Sequence, residues 1–152
     1  IQTGQVNTAV FSREGFHVAT ASNHGTSAIW NARTGERLKT LDGHLGDVNS
    51  IAFSFDGQRL VTTSVDRTAK VWCAATGACQ LTLEGHKWAT TAAVFSCDDR
   101  CLLTASEDRT AKLWSVESGE CLQTFEGHEG PVVEVAFSGC WASEDAPSWR
   151  SR

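Results

Sequence analysis

The sequence predicts an all-β chain of three near-identical units, each a four-stranded antiparallel meander, followed by the start of a fourth. Three observations carry that expectation. The first is a period of 42 residues that no insertion disturbs: Trp30, Trp72 and Trp114 keep it, as do Gly35, Gly77 and Gly119, and as do Gly43-His44, Gly85-His86 and Gly127-His128. Phe-Ser recurs in step at 11, 53, 95 and 137. The second is the residue content of each unit, which is rich in Val, Ile, Thr and Phe between turn signals. The third is size: 152 residues with 41% hydrophobic and 20% charged side chains suit a packed globular chain rather than a disordered one.

Taking the middle unit in order, "VNSIAFS" (48 to 54) reads as a first strand and "FDGQ" as the turn that ends it. "RLVTTS" (59 to 64) is the second strand, and "TAKVW" (68 to 72) the third, alternating small or apolar with polar groups at period two. "ATG" follows, with Gly77 suited to a positive-φ turn, and "CQLTL" (79 to 83) alternates again as the fourth strand. A single four-stranded meander exposes two apolar faces, so the units are expected to stack face to face.

Bulk properties exclude several classes. A formal net charge of −5 argues against non-specific binding to nucleic acid or to an anionic membrane, both of which favour a basic face. No apolar run approaches the roughly 20 residues that span a bilayer. The start "IQTGQVNTAV" lacks a basic and then apolar leader pattern, so nothing in it reads as a signal peptide; the chain contains no methionine, so a fragment, or a chain excised from a larger parent, is expected. Six cysteines (Cys73, Cys79, Cys97, Cys101, Cys121, Cys140) are too few for a disulfide scaffold. Cys79 and Cys121 are repeat copies of each other, and Cys97 and Cys101 lack a histidine at zinc-ligand spacing, so thiols in a reducing compartment are expected. The expected setting is intracellular, cytoplasmic or nuclear. No cofactor or metal site is expected.

The candidate chemistry lies in "TTSVDRTAKVW" (62 to 72) and "TASEDRTAKLW" (104 to 114), identical at eight of eleven positions. Each holds a serine, an aspartate two residues on and a tryptophan, with a Gly-His upstream. Nucleophilic serine chemistry requires an exposed Oγ, a base within reach and an oxyanion hole. Here the serine sits on a strand between apolar neighbours, and the set recurs in successive units. An active site is normally built once, whereas a fastener is built once per unit.

A Gly-His, a Trp ending the third strand and four strands per 42 residues resemble the WD40 family, over residues 6 to about 138. The residue after each Trp departs from the family's Asp: it is Asn31, Cys73 or Ser115. The resemblance implies a partial β-propeller with blades at about 6–44, 48–86 and 90–128, a truncated fourth from 132, and a degenerate tail over 139–152. It also implies polar quartets in which His44 meets Asp66, with Ser64 bridging towards Trp72, and in which His86, Ser106, Asp108 and Trp114 do the same. In the first blade Gln2 and His24 replace the His and Asp together, so packing of Trp30, Phe11 and Ile29 is expected to hold it. His24 with His17 as a metal pair is the weaker use of that histidine.

Members of this family look like rigid platforms that bind other proteins or peptides. The resemblance therefore implies a non-catalytic interaction scaffold, with an enzyme domain or a truncated, non-functional product as alternatives. The recognition positions it implies are Gln5, Asn7 and Asn23; Asp47, Asn49 and Val65; Ala89, Thr91 and Glu107; and Pro131 and Val133. Trp88 is either an interface anchor or a filler between blades. Arg67 and Arg109 are either solvated turn residues or a basic element for anions. After Phe137-Ser138 the period breaks, although "ASED" returns at 142 to 145, so His128 either lacks an Asp partner or takes Asp145. Further blades are expected from the parent chain or from a second copy.

Overall fold

A computed structural model describes residues 4–139. Twelve strands form three four-stranded antiparallel sheets, with no helix among the described residues. The first blade comprises β1 (Val6–Phe11), β2 (His17–Ser22), β3 (Thr26–Asn31) and β4 (Arg37–Asp42). The second comprises β5 (Val48–Phe53), β6 (Arg59–Ser64), β7 (Ala69–Cys73) and β8 (Cys79–Leu83). The third comprises β9 (Thr90–Phe95), β10 (Cys101–Ser106), β11 (Ala111–Ser115) and β12 (Cys121–Phe125). Strand order follows the chain in each blade, as a meander requires. The first strands are neighbours in space, β1 beside β5 and β5 beside β9, so the blades radiate from them.

The apolar core lies between blades, not within one. Ala19, Ala21, Ile29 and Leu41 of the first blade meet Val48, Ile51, Leu60 and Trp72 of the second. Val61, Ala69, Val71 and Leu83 then meet Ala93, Leu102, Trp114 and Val116 of the third. Odd and even positions of β6 thus bury opposite faces, Leu60 towards the first blade and Val61 towards the third.

Each first strand carries one extra residue opposite its partner. The register skips Asn7 in β1, Asn49 in β5 and Thr91 in β9. A bulge residue leaves the ladder and is re-aimed. Here each one reaches the next blade: Asn7 Nδ2 donates to Val48 O at 2.8 Å, Asn49 Nδ2 to Thr90 O at 2.8 Å, and Thr91 Oγ1 to Val132 O at 2.6 Å. Val132 N also donates to Ser106 O, so the segment after β12 meets the third blade with Val132 where Thr90 meets the second. No strand is assigned beyond Phe125 in the described residues. The returning "ASED" and Asp145 lie outside them, as do Gln2 and Cys140.

The first blade corrects one expectation. Ile29 is buried at 3% exposure and Trp30 is half-buried, but Phe11 is 69% exposed and packs no core. Its counterparts Phe53 and Phe95 pack against the blade before their own, and among the described residues nothing precedes the first blade. Trp30 keeps a polar link, donating from Nε1 to Thr20 Oγ1 at 2.9 Å. Ser27, where the other blades have Ala69 and Ala111, buries a hydroxyl with no hydrogen-bond partner among the described residues.

Candidate functional site

The loop between β4 and β5 carries His44, and the turn between β6 and β7 carries Asp66. His44 Nδ1 lies 2.7 Å from Asp66 Oδ2, and His86 Nδ1 lies 2.9 Å from Asp108 Oδ2. Both histidines are buried. Gly43 precedes His44 for a steric reason: a Cβ there would come within 3.2 Å of the Trp72 ring. Gly85 stands in the same relation to Trp114.

Threonine, not serine, completes each set. Trp72 Nε1 donates to Thr62 Oγ1 at 2.8 Å, and Thr62 Oγ1 lies 2.7 Å from His44 Nε2. Thr104 holds the same place between Trp114 and His86, at 2.8 Å from each. Ser64 was expected to bridge towards Trp72, and that placement is corrected. Trp72 pairs with Leu60 across the sheet, so Thr62 is the next residue on its face and Ser64 lies a further two residues, about 7 Å, along the strand. Ser64 Oγ instead donates to Gly46 O and accepts from Asp66 N, both at 3.1 Å. Ser106 does the same with Trp88 O and Asp108 N, at 3.2 and 3.1 Å. The missed threonines do leave a signal, since Thr20, Thr62 and Thr104 share the 42-residue period.

Donor and acceptor chemistry assigns the protons of the second-blade set. The indole can only donate, so the Thr62 hydroxyl accepts from it and donates onward to His44 Nε2; His44 is then neutral with its proton on Nδ1, donating to an ionised Asp66. Burial depresses the basicity of His44 by more than the Asp66 hydrogen bond and charge restore, and nearby Lys70 adds to the depression. His86 is depressed by burial in the same way, against Asp108. Burial pushes Asp66 up, yet the Thr68 hydroxyl, His44 and the Thr68 and Leu45 N–H groups together hold it below the usual carboxylate range. Asp108 is also held low: burial opposes it, while Thr110, the Lys87 N–H and His86 favour the anion.

Both kinds of group act in one direction on stability. A histidine depressed in the folded state binds its proton more readily when unfolded, so its contribution is whole above the ordinary value near 6.5 and falls as pH drops below it. The depressed aspartates add stability that is whole above about 4 and is lost as pH falls through their lowered values. Thermal melting is therefore expected to be flat from pH 8 to about 6.5 and to decline in two stages on acidification. A melting temperature that rises between pH 6.5 and 5 contradicts the neutral assignment of His44 and His86.

The expected recognition positions surround these loops. Asn23 N donates to Gln5 O, Val65 N to Asp47 O and Glu107 N to Ala89 O, which sets each loop against its turn. The side chains divide. Asn7, Asn49 and Thr91 hold the next blade through their bulges, so their polar groups serve the frame. Asn23 Oδ1 accepts from Asn7 at 2.8 Å, and Asp47 Oδ1 accepts from His24 N at 2.9 Å. Val65 and Trp88 are exposed, at 45% and 64%, so Trp88 is not a filler between blades. Arg67 and Arg109 are exposed turn residues in the left-handed region, with φ of 72° and 68°. A notch of about 420 Å³ opens between the second and third blades, lined by Val65, Arg67, Lys87, Trp88, Ala89 and Glu107. Pro131 and Val133 are exposed on the segment after β12.

His24 is exposed, and among the described residues no group of three or more His, Cys, Asp or Glu side chains is placed to hold a metal. Cys73, Cys79 and Cys121 are unbridged thiols. No helix among the described residues is long and apolar enough to cross a membrane.

Comparison with known proteins agrees with this geometry. The family model described as "WD domain, G-beta repeat" matches residues 35–73, 77–115 and 119–141. Its phase is staggered from the sheets: 35–73 takes in β4 of one blade and β5 to β7 of the next, so each sequence repeat spans a junction. Among solved structures the chain is similar to one titled "Structure of U3-55K", at 22% identity and a TM-score of 0.82, over 86% of this chain. The chain spans 42% of that structure's length. Curated protein sequences contain no match.

Proposed function

This chain belongs to the WD40-repeat family, and on that premise we propose that it is a non-catalytic protein-interaction scaffold, forming part of a larger propeller. The observation that carries the reading is the division of labour at the His-bearing loops. The polar atoms of the quartets are committed to the frame, and at the same end of the blades Gln5, Val65, Trp88 and Glu107 stand exposed at positions that differ from blade to blade. A surface of variable side chains on a repeated, rigid frame suits partner recognition more than chemistry. Ser64 supports the same reading, since it is fully buried and its hydroxyl already bonds Gly46 O and Asp66 N.

Exposed apolar groups at both ends of the stack support the larger ring. Phe11 lies on the outer face of the first blade, Phe125 ends β12 of the third, and Val133 follows the third, at 69%, 45% and 67% exposure. Additional blades, from a parent chain or a second copy, would cover them as Ile51 and Phe53 cover the first blade. The unbridged thiols suit a reducing, intracellular compartment.

Affinity capture with the chain as bait tests the proposal. A partner retained by the wild-type chain is expected to be lost when Val65→Ser, Trp88→Gly and Glu107→Gln are combined, with the melting temperature unchanged. Ester hydrolysis by the purified chain that disappears in Ser64→Ala would overturn the scaffold reading.

A further inference from the structure

The notch between the second and third blades differs from the rest of the face in a way that identifies its occupant. Trp88 is the only residue at its repeat position that is not glycine: the others are Gly4, Gly46 and Gly130. The frame needs only the backbone there, because Gly46 O accepts from Ser64 Oγ just as Trp88 O accepts from Ser106 Oγ. The indole is therefore an addition that folding does not require, and it stands 64% exposed beside Val65 and Ala89.

Two cations frame this apolar floor. Arg67 occupies a left-handed position with φ of 72°, where the first blade has Gly25, the residue that adopts such a φ without strain. Lys87, in the loop that enters β9, lines the same notch, where the second blade has Leu45. Neither forms a salt bridge among the described residues, in a chain whose net charge is −5. Glu107 closes the notch from the third blade and is also unbridged.

We infer that this notch binds a peptide segment of a partner protein in which a single acidic residue adjoins an apolar side chain. The carboxylate pairs with Arg67 and Lys87, the apolar group covers Trp88 and Val65, and Glu107 repels a second carboxylate. Desolvating an aromatic anchor beside a charge-paired group is the arrangement that concentrates binding energy in few residues. A nucleic-acid backbone carries apolar groups poorly and repeats its charge, so Glu107 and the net charge both disfavour it. This inference rests on the scaffold reading above and narrows it to one chemistry at one place.

Selection of a random peptide display library on the full chain tests it. Enriched peptides are expected to carry one Asp or Glu next to Leu, Ile or Phe. Their affinity is expected to fall by about tenfold or more in Trp88→Gly and in the Arg67→Ala, Lys87→Ala double variant, and to fall similarly when the peptide acid becomes its amide. Trp88→Gly places in this blade the residue the other repeats carry, so its melting curve should match the wild type. Enriched peptides that are basic or uncharged, or a polyglutamate or single-stranded DNA probe that competes as well as the peptide, overturn the inference. Peptides that bind these variants unchanged but lose affinity on Leu45→Ser overturn the notch and leave the scaffold; enrichment of no peptide at all counts against both.

Discussion

Asp66→Ala is expected to destabilise the chain by about 3–5 kcal/mol, read as a shift in chemical denaturation at pH 7. The carboxylate accepts four hydrogen bonds: from His44 Nδ1 and Leu45 N on one oxygen, and from Thr68 N and Thr68 Oγ1 on the other. Alanine strands all four donors, two of which belong to the loop that enters β5. Hydrogen bonds to a charged acceptor contribute about 1.5–3 kcal/mol each, and donors left buried without a partner add their own cost. The sum is capped because Leu45 and Thr68 can turn to water. Asp66→Asn keeps one acceptor oxygen and should cost clearly less. A loss under about 1 kcal/mol would mean that the quartet is not a fastener.

Trp72→Ala is expected to cost about 3–5 kcal/mol by loss of core. Trp72 is 1% exposed, lies in the cluster joining the first and second blades, and meets His44 edge-on at 6.2 Å between ring centroids. Its removal leaves a large cavity at that junction and an unused Thr62 acceptor. Trp30→Ala supplies the comparison, because Trp30 is half-buried on the first blade and faces no preceding blade among the described residues. It should cost less than half as much. Equal losses at the two sites would show that burial between blades is not what gives these tryptophans their weight.

Much of this architecture can be read from residue order alone, and the quartets show where such reading stops. The His–Asp partnership is implied by the family resemblance, and burial gives it a physical reason, since pairing is the cheapest way to bury a histidine and an aspartate together. The bridging hydroxyl is not legible in that way. Thr62 and Ser64 both recur at the repeat period and both lie on the same face of β6, and only the register against Trp72 distinguishes them. Asn49 shows the same limit. As a polar residue near a loop it reads as surface, but the bulge turns it towards Thr90.

Sequence by itself determined the period, the four strands per unit, the turns, the stacking of units and the family, because these depend on local residue type and on repetition, which are written along the chain. Tertiary structure alone decided which hydroxyl links Trp to His, that Asn7, Asn49 and Thr91 hold neighbouring blades together, that Phe11 is exposed while Phe53 is covered, and that Trp88 stands beside two unpaired cations. Each of those depends on which atoms of one blade lie within a few ångströms of the next. Strand register and blade packing set that distance, and neither is encoded at any single position.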